Sequence, residues 1–263
     1  ILITGGSSGI GKSIGEYLSH RGYVVYGTSR NPEKYKNSKF TILQLDVKQV
    51  TSIQSAVHLV LSKERRLDVL INNAGVGITG PIEEIPESEI KANFETNFFG
   101  PINVIKAVLP KMREQKAGLI INITSIAGYM GLPYRGVYSA SKAALEIITE
   151  SFRMELKDFN IQMTNVAPGD FATNIAAGRF HAPLIKGSPY EKPYGNTLKI
   201  MDSHVDSGSN PNVMAEKVFK IINTNKPKGH YKVGVFMQKF SIVLKRILPD
   251  KLYEKLLLNH YKL

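Results

Sequence analysis

The feature that most constrains the fold is a glycine-rich turn, TGGSSGIG, at residues 4–11. The apolar run ILIT precedes it, and the helical pattern KSIGEYLSH follows it. Gly5, Gly9 and Gly11 suit a tight turn, a close approach of the backbone to a phosphate, and close packing of the helix on the strand. The free N–H groups at the helix start bind anions. An ordinary glycine-rich turn is the alternative, but the strand before and the helix after favour a dinucleotide-binding unit.

Short β-rich runs alternate with longer helical patterns along most of the chain. Strands that are apolar on both faces, each followed by a helix, predict a parallel sheet covered on both sides. The fold class is therefore α/β, a doubly wound parallel sheet (Rossmann fold) of about seven strands with helices on both faces. The further predicted strands are YVVYGT (23–28), FTILQL (40–45), LDVLINN (67–73), LIINITS (119–125), IQMTNVA (161–167) and HYKVG (230–234). The predicted helices lie near 11–20, 49–64, 88–115, 136–158 and 211–224.

Composition narrows the classes of protein. The 263 residues include no cysteine, which excludes disulfides and thiolate metal sites, and the six histidines lack the spacing of metal ligands, so no metal is expected. No apolar run approaches the roughly 18 to 20 residues that span a bilayer, so we expect a cytoplasmic protein. Because the sequence begins inside a predicted strand, we expect a few residues to precede it. We predict a catalytic domain over 1–234, with a substrate lid at 174–210, and a helical extension of the same domain over 235–263.

The net charge of +12 is unevenly distributed. From Lys226 to the end, nine basic residues face two acidic ones, a net charge of +7. Such charge is compatible with nucleic acid, an anionic membrane or acidic ligands. The chain carries neither a nucleic-acid-binding motif nor an aromatic platform beside the basic residues, so nucleic acid is not an expected partner.

A tyrosine and a lysine lie four positions apart in YSASK, as Tyr138 and Lys142. Residues at this spacing meet on one face of a helix. The spacing alone is weak evidence, because Tyr35 and Lys39 share it in a polar stretch that we interpret as a solvated loop. The surrounding motifs decide its meaning.

Seven such motifs occur in the order typical of the short-chain dehydrogenase/reductase family, which the chain resembles over about residues 1–234. The TSRN stretch after the second strand and the long tail most resemble the subgroup of 17β-hydroxysteroid and retinol dehydrogenases. The motifs are the T-G-x-x-x-G-x-G turn, LDV (45–47), NNAG (72–75), Asn97 in ETNFFG, Ser125 after the fifth strand, the pair Tyr138 and Lys142, and PGDFAT (168–173).

The resemblance implies the roles of four catalytic residues. Tyr138 exchanges a proton with the substrate oxygen, and Ser125 orients and polarises the carbonyl. Lys142 favours the ionised phenol through its positive charge and holds the nicotinamide ribose. Asn97 supports a chain of water molecules that restores the proton. A buried asparagine that satisfies a helix kink is a compatible alternative for Asn97.

The predicted cofactor is NADP(H). An acid at the end of the second strand would select NAD, but residues 21–32 contain none, and Arg30 suits a 2′-phosphate. Ser7 and Lys12 could assist; alternatively, Arg30 is solvated and Ser29 and Asn31 bind a 2′-hydroxyl. The resemblance implies that Asp46 accepts from the adenine amine. The complete expected set of cofactor contacts is Gly5, Ser7, Ser8, Gly9, Ile10, Gly11, Arg30, Asp46, Val47, Asn73, Ala74, Gly75, Tyr138, Lys142, Pro168, Gly169 and Thr173.

The predicted function is hydride transfer between this cofactor and a carbonyl or secondary alcohol, with reduction of an apolar ketone or aldehyde. The alternative is a non-catalytic protein that senses NADPH. The apolar side chains of the lid suggest either an apolar pocket wall or plain packing. They are Phe180, Leu184, Ile185, Tyr190, Tyr194 and Met201.

Two kinds of partner are expected besides the substrate. The resemblance implies a homodimer or homotetramer through the long helices near 88–115 and 136–158, where the supporting residues are Ile105, Val108, Leu109, Phe152 and Leu156. The tail at 236–263 shows two amphipathic helical patterns, separated at Pro249 and interleaved with basic residues. It either packs on the body or contacts an anionic membrane.

Overall fold

The computed structural model describes residues 1–172, 178–206 and 208–263. Seven parallel strands form its main sheet, in the order β3-β2-β1-β4-β6-β7-β9, and β5 pairs with β8 beside it. The order runs outward in both directions from β1 and β4, so the predicted doubly wound parallel sheet is confirmed. The strands are β1 (Leu2–Ile3), β2 (Tyr26–Ser29), β3 (Thr41–Gln44), β4 (Val69–Asn72), β5 (Ile78–Thr79), β6 (Gly118–Ile123), β7 (Ile161–Pro168), β8 (Phe180–His181) and β9 (His230–Val233).

Helices cover both faces of the main sheet because successive strand residues point in opposite directions. Leu70 and Ile120 contribute to a core with α2, α4 and α5, whereas Ile71 and Ile121 contribute to a second core with α1 and α7. The helices are α1 (Gly9–Ser19), α2 (Val50–Glu64), α3 (Glu87–Phe94), α4 (Gly100–Gln115), α5 (Gly136–Glu155), α6 (Glu191–Asp206), α7 (Asn212–Ile222), α8 (Phe236–Ile247) and α9 (Asp250–Tyr261).

The helix predicted near 88–115 is interrupted. A π-helical turn, Glu95–Phe99, separates α3 from α4, and Asn97 lies within it. Such single turns are rare and are frequently found at functional sites. The helical pattern predicted one continuous helix here, although the alternative of a helix kink at a buried Asn97 agrees with the interruption that the structure shows.

The C-terminal tail packs on the body through one face. Ile242 and Tyr253 are buried with Met130 and Ala167, beside the 3-10 turn Ile126–Tyr129. The expected break at Pro249 separates α8 from α9. Packing therefore accounts for the inner side of the tail. No helix in the described part of the chain is both long enough and apolar enough to cross a membrane.

Four of the five residues cited for an oligomer interface lie in the chain's own core. Ile105, Val108, Leu109 and Leu156 pack beneath the sheet and cannot reach another subunit, so this support for the interface was wrong. An amphipathic pattern shows only that one side of a helix is buried, and here the partner is the sheet. The large apolar side chains that the two long helices and the adjoining π turn do expose are Phe99, Ile147 and Met154.

Candidate active site

A cleft of about 570 Å³ opens along the carboxyl ends of the main strands. Parallel strands with a reversal of strand order bind ligands at this edge. The cleft is lined by most of the expected cofactor contacts, from the first turn to the end of β7. These residues are Gly5, Ser7, Ser8, Gly9, Ile10, Arg30, Asp46, Val47, Asn73, Ala74, Gly75, Tyr138, Lys142 and Pro168. Thr173 lies outside the described residues.

The glycine-rich turn is tied to the end of β4. The hydroxyl oxygen of Thr4 accepts from the backbone N–H groups of Asn73 and Ala74, at 3.0 and 3.1 Å. The Asn73 amide donates to the carbonyl oxygens of Thr4 and Gly5, both at 3.0 Å. Gly5 has a φ of +64°, and a Cβ on Gly11 would collide with the Asn73 amide. Glycine at these two positions therefore allows the turn and α1 to lie close to the sheet.

Positive charge borders the cleft at the end of β2. Arg30 lines it with Ser7, and Lys34 and Tyr35 join them from the short 3-10 helix Pro32–Tyr35. Lys12, expected to assist, instead lies 3.9 Å from Glu16, one helical turn along α1. Among the described residues from 28 to 35 that line the cleft, none is acidic.

Sequence reasoning missed Lys34. The solvated loop predicted for residues 35–39 is confirmed for most of its length, since Lys36, Asn37 and Lys39 are exposed, but Tyr35 ends the 3-10 helix and lines the cleft. The signal was Asn31-Pro32, since proline suits the first turn of a helix and turns the chain back here. Lys39, its partner in the Y-x-x-x-K spacing, is exposed. Tyr35 and Lys39 therefore do not form a buried pair like that of Tyr138 and Lys142.

Asp46 and Val47 follow β3 along the same wall. Asp46 accepts from the Lys48 backbone N–H at 3.0 Å, so its carboxylate is oriented by its own turn. Val47 is buried and would lie 2.9 Å from a Cβ on Gly100. The close approach of Gly100 fixes the start of α4 behind this part of the cleft.

Lys142 is the buried cation of the site. Its ammonium donates to the Ile123 carbonyl oxygen at 3.0 Å and lies 6.0 Å from the centroid of the Tyr138 ring. Burial lowers the pKa of Lys142, and the neighbouring Tyr138 and Glu146 oppose that effect. A buried ammonium needs partners for its donors, and a cofactor hydroxyl or a water molecule can fill this need.

Asn97 links three segments around Lys142. Its side chain bonds both the N–H and the C=O of Val76 at 2.9 Å, and its amide also donates to Ser141 Oγ at 3.1 Å. A Cβ on Gly75 would lie 3.2 Å from both Asn97 Oδ1 and Lys142 Nζ. The two polar groups therefore flank Gly75, and the π turn is what aims the asparagine at this point.

Ser125 follows β6 by two residues and is buried. Its Oγ accepts from the Ala127 N–H at 3.1 Å and so caps the 3-10 turn that begins there. Ile123 and Thr124, immediately before it, line the cleft with Tyr138. Ser125 is thus next to the lining, and its oxygen is already engaged by the backbone.

A buried carboxylate that sequence reasoning missed lies behind the site. Glu146 is 5% exposed and accepts hydrogen bonds from Thr124, Tyr129, Asn165 and His230. The available signal was its position one helical turn after Lys142, on the same face of α5. Glu146 therefore joins this helix to β7, to β9 and to the residue after β6.

Apolar side chains surround the far end of the cleft. Tyr138 packs in a cluster with Ile78, Val137, Ala182 and Tyr194. Of the lid residues cited from the sequence, Phe180 lines the cleft, Tyr194 and Met201 are buried in packing, and Leu184 and Ile185 are about half exposed. The lid residues are therefore divided among a pocket wall, ordinary packing and exposed surface.

A cation, Arg135, also lies at this end, with its guanidinium carbon 5.5 Å from the Tyr138 ring centroid. Tyr261, at the end of α9, lies within hydrogen-bonding reach of Arg135, and burial raises the pKa of Tyr261. The tail thus contacts the segment that leads into Tyr138.

The sequence and the fold are both similar to those of known proteins. The family model for short chain dehydrogenase matches residues 1–183. A 3-ketodihydrosphingosine reductase from Bacteroides thetaiotaomicron is 41% identical over 255 residues, which cover 97% of this chain and 94% of the relative. An NADPH-dependent 3-dehydrocapnine reductase from Ornithobacterium rhinotracheale is 31% identical over 280 residues, 99% of this chain and 96% of the relative. The crystal structure of a short-chain dehydrogenase from Streptomyces avermitilis has a TM-score of 0.83 and 29% identity, and the match covers 99% of this chain and 96% of that one.

Proposed function

Because the chain belongs to the short-chain dehydrogenase/reductase family of oxidoreductases, we propose that it is an NADPH-dependent reductase of long-chain amino ketones of the 3-ketodihydrosphingosine type. The single observation that carries the proposal is the cleft wall that Lys142 and Tyr138 line together, with Asn97 directly behind it at Gly75. A buried ammonium beside a phenol, at the apolar end of a dinucleotide-sized cleft, suits proton transfer to a carbonyl oxygen.

The described residues fit a dinucleotide. The left-handed backbone of Gly5 and the free N–H groups at the start of α1 suit a pyrophosphate, and Asp46 and Val47 suit the adenine. Lys142 would hold the nicotinamide ribose next to Gly75. When bound, NADPH supplies the hydride that reduces the carbonyl carbon.

The residues of this chain handle the oxygen and its proton. Tyr138 donates a hydrogen bond to the substrate carbonyl and transfers its proton as the C–H bond forms, which yields the secondary alcohol. The Lys142 charge stabilises the phenolate that remains. Ser125 steadies the carbonyl oxygen through its hydroxyl hydrogen, because its lone pair already accepts from Ala127. Asn97 holds the Val76 segment and supports the water molecules that return a proton to Tyr138.

The preference for NADPH over NADH rests on the charges at the end of β2. Arg30 and Lys34 supply two cations and Ser7 a hydroxyl, which suits a 2′-phosphate. The alternative, in which Ser29 and Asn31 bind a 2′-hydroxyl, predicts no such preference. The NADPH dependence of the relative from Ornithobacterium rhinotracheale supports the first reading.

The substrate class rests on the apolar cluster around Tyr138 and on the two relatives whose names specify reduction of a keto or dehydro compound. Phe180 and Ile78 offer an apolar wall to a hydrocarbon chain next to the phenol. No observation favours the alternative of a non-catalytic NADPH sensor, which has no need of the Tyr138 and Lys142 pair.

The proposed assembly is a homodimer or homotetramer in the cytoplasm, where NADPH is available. Phe99, Ile147 and Met154 are exposed on or beside the two long helices and replace the residues that the sequence suggested. Light scattering at low concentration tests this, and a monomer at micromolar protein would contradict it.

The test of function follows NADPH absorbance with 3-ketodihydrosphingosine dispersed in detergent, and mass spectrometry should show a product heavier by two hydrogens. Tyr138→Phe should bind NADPH normally but lose about two to four orders of magnitude in turnover, because the transferable proton is gone. Tyr134→Phe is the matched control. Tyr134 lies four residues before Tyr138, and its ring packs on that of Tyr194, with 5.2 Å between the ring centroids. Turnover of Tyr138→Phe close to that of Tyr134→Phe would refute the mechanism, and absence of turnover with any ketone would favour the sensor.

A further inference from the structure

The tail exposes an unusual amount of apolar surface. Of the twenty-one large hydrophobic side chains that are exposed in the described part of the chain, ten lie within residues 235–263. Single exposed hydrophobic residues are ordinary, but a contiguous group marks an interaction site. The most exposed members are Phe236, Met237 and Ile247, at 70%, 65% and 68%.

Four of the ten form one stripe along α8. Phe236, Phe240, Val243 and Ile247 are spaced by four, three and four residues, so they share one face of the helix. The rings of Phe236 and Phe240 stack with centroids 5.5 Å apart. Gln238 and Ile242 point the other way, toward the body, where Ile242 is buried. The helix is thus apolar on its outer face although its inner face already has a partner.

Positive charge borders the stripe. Lys239 and Arg246 lie on one flank of it by helical position, and α9 adds exposed Lys251 and Lys255 beside exposed Leu252 and Leu256. Residues 235–263 contain six basic and two acidic residues, a net charge of +4. Pairing with a second copy of this face would place one positively charged segment against another, since a two-fold interface brings the same patch together. A partner that is both anionic and apolar would be complementary to the positive charge and to the apolar stripe.

Inward-facing residues of the tail connect it to segments beside the active site. Gln238 donates to Asp170 at 2.7 Å, two residues beyond Pro168 in the cleft lining. At the other end of the tail, Tyr261 contacts Arg135, near the Tyr138 ring. A surface that holds this tail also holds the substrate end of the cleft.

We propose that the outer face of α8 and α9 docks on an anionic bilayer surface, from which a long-chain ketone enters the cleft. Amphipathic helices with basic flanks bind at lipid interfaces through apolar burial and attraction to anionic headgroups. The delivery of substrate rests on the proposed function, whereas the docking does not.

The test measures co-sedimentation of the full-length protein with vesicles of phosphatidylcholine alone or mixed with phosphatidylserine. Binding should require phosphatidylserine at low salt and weaken at physiological salt, because attraction between exposed charges is screened. Two paired variants, Phe236→Ser with Ile247→Ser and Lys239→Glu with Arg246→Glu, should each bind at least about tenfold more weakly. Val24→Ser is the matched control, at a residue 58% exposed and remote from the tail, and should bind within about twofold of the unmodified protein.

Point variants are preferred to deletion of the tail, since deletion would uncover Met130 and Ala167 in the core. Absence of binding to phosphatidylserine vesicles at low salt, or equal binding by all variants, would overturn the proposal. The proposal would also be overturned if the paired variants changed the molecular mass measured by light scattering but left vesicle binding unchanged. The face would then bind a second copy of the chain. Turnover of a short, water-soluble ketone, equal in all variants, separates failure of docking from failure of the proposed function.

Discussion

Replacing Glu146 with glutamine tests whether a buried carboxylate holds the strand ends of the site together. Its oxygens accept from Thr124 Oγ1, Tyr129 OH at 3.1 Å, Asn165 Nδ2 at 2.9 Å and His230 Nδ1 at 2.7 Å. Thr124 directly follows β6, Tyr129 ends the next 3-10 turn, and Asn165 and His230 belong to β7 and β9. Glutamine keeps the size of the side chain but loses the charge, and it turns one acceptor into a donor.

The size of the effect follows from the number of bonds. A hydrogen bond to a charged group contributes about 1.5 to 3 kcal/mol, against about 0.5 to 1.5 kcal/mol for a neutral one. With four bonds weakened and incomplete additivity, we expect a loss of about 3 kcal/mol in the free energy of unfolding. For a chain of this size, that corresponds to a Tm lowered by about 6 to 12 °C.

Thermal unfolding followed by circular dichroism at neutral pH measures this shift. Glu150→Gln is the matched control, because Glu150 lies 3.2 Å from the other ring nitrogen of His230 but is 57% exposed. An exposed pair contributes at most about 1 kcal/mol, so the control should shift Tm by less than about 4 °C. Equal shifts for the two variants would show that burial of the Glu146 network adds nothing.

Three further outcomes are expected. Arg30→Asp should weaken NADPH binding by about one to two orders of magnitude and improve NADH binding, and isothermal titration of the unmodified protein with equal affinity for both would contradict the preference. Lys142→Met should lower kcat/KM by roughly a hundredfold, because a charge 6.0 Å from the Tyr138 ring contributes about 3 kcal/mol to the phenolate at an effective dielectric constant of about 20; a loss below about threefold in steady-state assays would refute this. Tyr26 donates to Glu64 at 2.5 Å, and this bond, with burial, raises the pKa of Tyr26 to about 12. The fold favours the neutral phenol, so its stabilisation is complete below about pH 10 and is lost as pH rises through about 12. Ultraviolet titration should show one fewer late-ionising phenol in Tyr26→Phe, and an unchanged titration would contradict the assignment.

The fold class and most of the secondary structure of this protein could be predicted from local sequence. The glycine turn at 4–11 indicated its strand and helix because positive φ and close helix packing require glycine at particular positions. The alternation of apolar runs with helical patterns identified the seven strands, since side-chain periodicity is a local property of the backbone. The positions of Tyr138 and Lys142 on one helical face also followed from spacing alone.

Only the tertiary structure determined which segments these helices and strands pack against. The amphipathic pattern at Ile105 and Val108 was clear, but whether the sheet or another subunit covers it depends on segments far away in the chain. Asn97 contacts Val76 and Ser141 from within a π turn. Glu146 accepts from β7, from β9 and from the segment after β6, which are distant from one another in sequence. The sequence of the tail indicated amphipathic helices. It did not show that one face would pack on Met130 while a second apolar face stays exposed, because that depends on the packing of distant segments. Periodicity shows that one side of an element will be buried, and the arrangement of distant segments determines which side it is and which polar groups it brings together.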